Sequence, residues 1–103
     1  MIRISVMYPN EGKKFNMDYY LNTHIPLVHK LLDTYGLVRI EVDKGIGTVE
    51  PGAPAPFVVV GYMIFNNIEE MQKGLQAHDP ELAADVLNFT DIRPQFQISE
   101  IMK

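Results

Sequence analysis

The chain is 103 residues long, 47% hydrophobic and 21% charged, proportions that suit one ordinary globular domain over residues 1–103. Nine Lys and Arg against thirteen Asp and Glu give a net charge of −4, with the basic residues scattered, which argues against nucleic-acid binding and against adhesion to anionic membrane. The absence of cysteine excludes disulfides, thiolate catalysis and Cys-ligated metal sites, and no long apolar run or leader pattern marks a membrane span or signal peptide, which fits a cytoplasmic protein.

Ile2, Ile4, Val6 and Tyr8 alternate with Arg3, Ser5 and Met7, a first strand that stops at Pro9. Asn10 to Lys14 is a polar turn containing Gly12. The stretch from Phe15 to Gly36 then carries strong helix signals. Asn16 is an N-cap, Asp18 suits the positive end of the helix dipole, and Phe15 is placed to staple onto Tyr20. Met17, Tyr20, Leu21, Ile25, Val28, Leu31 and Leu32 recur at helical spacing as one apolar stripe, closed by Gly36 as C-cap. Two residues interrupt it. His24 stands within the stripe, and Pro26 cannot donate to the carbonyl of Asn22, so the helix is predicted to kink or restart there.

Val38, Ile40 and Val42 alternate with charged residues as a half-exposed second strand, followed by a long Pro- and Gly-rich loop from Gly45 to Pro56. Phe57 to Phe65 (FVVVGYMIF) is apolar on both faces and is predicted to be a central third strand. Asn67 and Glu70 signal the start of a second helix, with Ile68, Met71 and Leu75 facing inward. Asp79-Pro80 is predicted to cap a separate short helix buried through Leu82 and Val86. Asn88 to Asp91 is a turn-prone junction, and Ile92 to Met102 alternates as a last strand.

The order β-α-β-β-α-β, with an extra helical turn before the last strand, is the ferredoxin-like pattern. It predicts an α+β domain whose four-stranded antiparallel sheet carries helices on one face. A third strand apolar on both sides needs cover on the other face as well. A second copy of the same sheet is the expected cover, making the chain its own partner in a homodimer joined through sheet faces.

Tyr8-Pro9, Phe15, Tyr19-Tyr20 and His24-x-Pro26-Leu27-Val28 resemble the opening of EthD-type proteins, named for ethyl tert-butyl ether degradation. The resemblance continues through Val42-Asp43-Lys44-Gly45 and the Pro-rich loop Pro51 to Pro56, and closes with His78, Asp85, Asn88-Phe89-Thr90-Asp91 and Gln97-Ile98-Ser99-Glu100. It covers nearly the whole chain and points to the short bacterial members. It implies a dimeric α+β barrel, a superfamily that includes cofactor-free oxygenases of polyketide anthrones, decarboxylases and lactone isomerases, with haem-binding branches further off. Some short members carry the label reductase, but no nicotinamide or flavin fingerprint is present. Where short members usually have a Pro before the Asn-x-Thr-Asp turn, this chain has Val86-Leu87, which predicts a longer helix and a shift of Asn88 and Asp91.

His24 has two readings. It is a structural histidine bonded to a backbone carbonyl such as the one Pro26 frees, or an imidazole that takes and returns a proton near pH 6.5, biased by desolvation toward its neutral, basic form. The resemblance favours the pocket role, with Asp91 as the catalytic partner that orients the ring. Asn88 and Thr90, like Asp91, are candidates to orient His24 or to hold a substrate oxygen, and all three are equally turn and cap residues that satisfy their own backbone. His78 is assigned to the pocket mouth, with a helix-end residue as the plainer reading. Tyr8, Tyr19, Tyr20 and Tyr62 are assigned to the cavity wall, where their hydroxyls would meet a phenolic or carbonyl substrate; aromatic residues in such positions are also ordinary core.

No histidine spacing marks a metal site, and neither a nucleophile elbow nor a phosphate loop is present. The expectation is therefore an enzyme without cofactor, in which His24 acts as general base on a small apolar molecule bearing a carbonyl or phenol. Its chemistry would be oxygenation, decarboxylation or isomerisation. The alternatives are a non-catalytic binding module and, further off, a haem-associated barrel with His24 or His78 as axial ligand.

Overall fold

The computed structural model describes residues 1–103. Its elements are β1 (Ile2–Pro9), α1 (Met17–Tyr19), a π-helical turn (Tyr20–His24), α2 (Ile25–Leu32), a 3₁₀ turn (Asp33–Tyr35), β2 (Leu37–Lys44), β3 (Phe57–Phe65), α3 (Ile68–Val86) and β4 (Gln95–Glu100). The sheet order is β2-β3-β1-β4 with every neighbouring pair antiparallel. This is the ferredoxin-like α+β fold, with the apolar β3 central as its composition demands. No helix is long and apolar enough to cross a membrane.

Strand alternation divides the sheet into two faces. Ile4 lies opposite Met63 and Ile98, Val6 opposite Gly61 and Phe96, and Tyr8 opposite Val59, so these residues share the face that the helices cover. The other face presents Arg3, Ser5 and Met7 beside Ile64, Tyr62 and Val60, with Glu41 and Asp43 at its edge. Ile64 is fully buried there, and the Arg3 guanidinium lies over the Tyr62 ring, 5.5 Å from its centroid.

The caps form as the sequence predicts. The Asn16 side chain accepts the backbone N–H of Tyr19 at 3.1 Å, and Phe15 packs on Tyr20 with ring centroids 5.2 Å apart. Gly36 ends the helical segment with φ of 78°, and a Cβ there would meet the Glu70 carboxylate at 2.6 Å. Glu70 occupies that space because Asn67 holds it. Asn67 accepts the Glu70 backbone N–H at 2.9 Å and donates to its carboxylate at 2.8 Å. Asn67→Ala is expected to lower stability by about 1 kcal/mol in chemical denaturation while Asn67→Ser, which still accepts the Glu70 N–H and adds no charge beside its carboxylate, retains most of it. An unchanged Asn67→Ala would mean that the cap contributes nothing.

The break at Pro26 takes a particular form. Pro26 cannot serve the carbonyl of Asn22, and the preceding turn widens so that the Ile25 N–H reaches back five residues to the carbonyl of Tyr20. Around Pro80 the expectation fails. α3 runs unbroken from Ile68 to Val86 with Pro80 inside it, and no separate short helix exists. Pro80 and Gln76, the residue whose carbonyl it leaves unbonded, are both exposed, so water can take the lost partner's place. Met71, Gly74 and Leu82 meanwhile pin the inner face. The last strand is also shorter than predicted: Ile92 lies outside it, buried in an aromatic core cluster with Tyr8, Tyr20, Val59 and Phe89. Leu21 and Val38, both assigned inward, are 44% exposed.

Candidate functional site

The π turn sets the site. It places Tyr20 and His24 on the same buried side with their rings stacked, centroids 5.8 Å apart and planes 18° from parallel. His24 is 7% exposed and packs on Phe89, whose ring centroid is 4.8 Å away. From α3, Asp85 brings Oδ2 to 2.8 Å from His24 Nδ1. Its other oxygen accepts the Tyr19 hydroxyl at 2.6 Å and the Asn88 amide at 3.0 Å.

Burial alone would raise the Asp85 carboxyl, but the hydrogen bonds from Tyr19, His24 and Asn88 outweigh it and hold the group below its ordinary value. Asp85 is therefore ionised at neutral pH and can only accept. The proton on neutral His24 must then sit on Nδ1, which leaves the lone pair on Nε2. The hydrogen bond to Asp85 raises the Tyr19 phenol, which stays a donor.

A cavity of about 290 Å³ lies between the helix-covered face of the sheet and the helices α2 and α3. Ile4, Val6, Met63 and Leu82 give it an apolar wall, and its polar groups come from Tyr8, His24 and Asp79. Phe96 and Ile98 on the edge strand line it and remain 66% and 52% exposed. A recess of about 30 Å³ adjoins His24 among Tyr8, Tyr20 and Gly61. Glycine is required at position 61, since a Cβ there would run into the Tyr20 hydroxyl. Burial pushes the Tyr20 phenol up to about 12, and burial together with the nearby Tyr20 raises Tyr8 as well, so both remain protonated donors at neutral pH.

The other predicted residues divide sharply. Asp91 is exposed, and the carboxylate on His24 is Asp85. The cause is the longer helix: α3 continues to Val86, so its last turn, and not the following bend, faces the imidazole. Asn88 joins the network but is bonded to Asp85 and, at 3.3 Å, to the Tyr19 hydroxyl, so it positions these groups. Thr90 is fully buried, donates to the carbonyl of Lys14 and accepts the backbone N–H of Ile92 at 3.1 Å, a structural clamp. His78 is outside the cavity lining and lies 3.0 Å from Glu81. The Tyr62 ring lies under Arg3 on the face away from the helices, and the residue also borders the recess beside His24. No group of three or more His, Asp or Glu could hold a metal ion.

Sequence reasoning quoted Asp85 only within the resemblance and gave it no role, and it read Tyr19 as a cavity-wall tyrosine, whereas the Tyr19 hydroxyl donates to Asp85. A signal existed for Asp85: it follows buried Leu82 by three residues, which puts a carboxylate on the inner stripe of the helix.

A ferredoxin-like sheet with an apolar cavity beneath its helices, and a buried His–Asp pair at the wall, defines a small α+β domain of a small-molecule-binding or enzyme-like kind. The EthD domain matches residues 9–93, and the chain belongs to the EthD family. An EthD-like protein from Ralstonia eutropha JMP134 is 35% identical with a TM-score of 0.92, over 99% of this chain and 92% of that one. An ethyl tert-butyl ether degradation (EthD) family protein from Bacillus halodurans C-125 is 21% identical with a TM-score of 0.77, over 99% of both chains. A dimeric ferredoxin-like protein from an uncultured marine organism shares the fold at 11% identity and a TM-score of 0.56, over 100% of this chain and 96% of that one. No curated protein sequence matches the chain.

Proposed function

We propose that the cavity takes up a small apolar molecule bearing a carbonyl or phenol, and that His24 Nε2 removes a proton from it. The observation that carries this reading is the His24–Asp85 pair at the wall of a mostly apolar cavity. The pair leaves one basic nitrogen, and the anionic partner stabilises the imidazolium once the proton has moved. A Tyr8 or Tyr20 hydroxyl donates to the developing enolate or phenolate oxygen. The protein supplies an apolar pocket, a positioned base and hydrogen-bond donors from its own side chains. The anion so formed then rearranges, loses CO₂ or meets O₂, and the natural substrate decides among isomerase, decarboxylase and oxygenase chemistry. The face carrying Ile64, Val60 and Met7 is covered by a second copy of the chain, a reading supported by the dimeric ferredoxin-like relative.

The test is deuterium exchange into 2-tetralone, a bicyclic ketone with acidic α C–H bonds, followed by NMR in D₂O. The wild-type protein is expected to accelerate exchange above the buffer rate, and His24→Gln to return it to that rate with an unchanged circular dichroism spectrum. Exchange equally fast in His24→Gln overturns the assignment of the base. Tight binding of the ketone with no exchange would identify a binding module without chemistry. Native mass spectrometry of the same sample is expected to show a dimer, and a monomer would overturn the shared-sheet assembly.

A further inference from the structure

The charge around the cavity points to what it admits. Its lining contains no Lys or Arg, whereas Asp79 is part of the wall and Asp85 stands behind His24. Both carboxylates come from α3, six residue steps or about 9 Å of helix rise apart, Asp79 in the cavity wall and Asp85 behind His24. The two differ in how they are compensated. Asp85 accepts three hydrogen bonds and has an imidazole as partner. Asp79 has neither a salt bridge nor a hydrogen-bonded side-chain partner, and with the apolar wall beside it its field acts on whatever occupies the cavity.

We infer that Asp79 is a specificity-determining residue that makes this site select uncharged or cationic aromatic ligands and reject carboxylates. The inference rests on the cavity being a ligand site, the first half of the reading above, and is independent of proton transfer at His24. Size sets the other bound. An apolar cavity of about 150 Å³ takes up benzene, so one near twice that volume suits a bicyclic ring system. The preferred ligand is therefore bicyclic and aromatic, uncharged at the end near His24, with a hydrogen-bond donor or ammonium group toward Asp79. An acid of the same shape would bring its negative charge against an apolar wall beside the unpaired Asp79 carboxylate, with no Lys or Arg in the lining to meet it.

Three naphthalenes of nearly equal size test this: 2-acetylnaphthalene, 2-naphthoate and 2-(aminomethyl)naphthalene, titrated calorimetrically into the wild-type protein and Asp79→Asn at pH 7. In the wild type the ketone and the amine are expected to bind at least about tenfold more tightly than the acid. Asp79→Asn should bring acid and ketone to within about threefold of each other, and Asp79→Lys should reverse the order of acid and amine. Asp79 is exposed, so these changes leave the core untouched. The inference is overturned if 2-naphthoate binds the wild type as tightly as the ketone, if Asp79→Asn leaves the ratio where it was, or if none of the three binds. The ordering can hold while 2-tetralone exchange fails, in which case the site is a charge-selective binding pocket and only the base assignment falls.

Discussion

Asp85→Asn is expected to lower the His24-dependent exchange rate by about 10²- to 10⁴-fold although no atom of His24 changes. The reason lies in the second carboxylate oxygen. Tyr19 and Asn88 both donate to Oδ1, so an asparagine at 85 keeps its amide oxygen there and turns its NH₂ toward His24. That NH₂ donates to Nδ1 and forces the ring proton onto Nε2, the nitrogen that has to act as base. The substitution also carries a stability signature. Asp85 is held below the ordinary carboxyl value in the folded chain, so its contribution is complete above the unfolded value of about 3.9 and is lost as pH falls through the folded value. Urea denaturation should therefore separate wild type from Asp85→Asn most at pH 7, and the gap should close progressively below about pH 4. A variant with full exchange activity would show that Asp85 does not set the tautomer. A gap independent of pH would show that it is not the titrating group.

Most of the architecture was legible because it rests on local chemistry. The alternation from Ile2 to Tyr8, the Asn16 and Asn67 caps and the Gly36 terminus each state a backbone preference within a few residues, and each stands where it was read. The doubly apolar Phe57–Phe65 gave the central strand for the same reason. The two prolines were harder, because their effect depends on what surrounds the lost hydrogen bond. Near Pro26 the chain widens into a π turn and resumes as an α-helix at Ile25. At Pro80 it continues as an α-helix, since the unpaired carbonyl of Gln76 belongs to an exposed residue. Asp85 shares the inner stripe of Leu82 whether or not the helix breaks at Pro80, and it is Asp85, and not the exposed Asp91, that meets His24. His24 itself was legible as a polar residue in an apolar stripe. Its partner was not, because the two are 61 residues apart and meet only through tertiary packing.

Phe89→Ala is expected to be the most destabilising substitution in the molecule, costing about 3–5 kcal/mol. Phe89 is fully buried, and its ring lies 4.8 to 6.2 Å from those of Tyr8, Phe15, Tyr19, Tyr20 and His24. Truncation removes one member from five aromatic contacts at once, and the surrounding rings are too rigid to close the void. For a domain of this size such a loss lowers the melting temperature by more than about 10 °C. Phe96 provides the control. It is 66% exposed on the edge strand, so Phe96→Ala should stay within about 1 kcal/mol of wild type at the same protein concentration. The ring of Phe89 also packs directly on His24, and the preceding residue, Asn88, binds Asp85. Collapse of this cluster should therefore remove exchange activity at temperatures where Phe89→Ala is still folded, and Phe89→Leu, which keeps most of the volume, should recover stability before it recovers rate. Equal stability of Phe89→Ala and Phe96→Ala would mean that the aromatic cluster does not hold the site together.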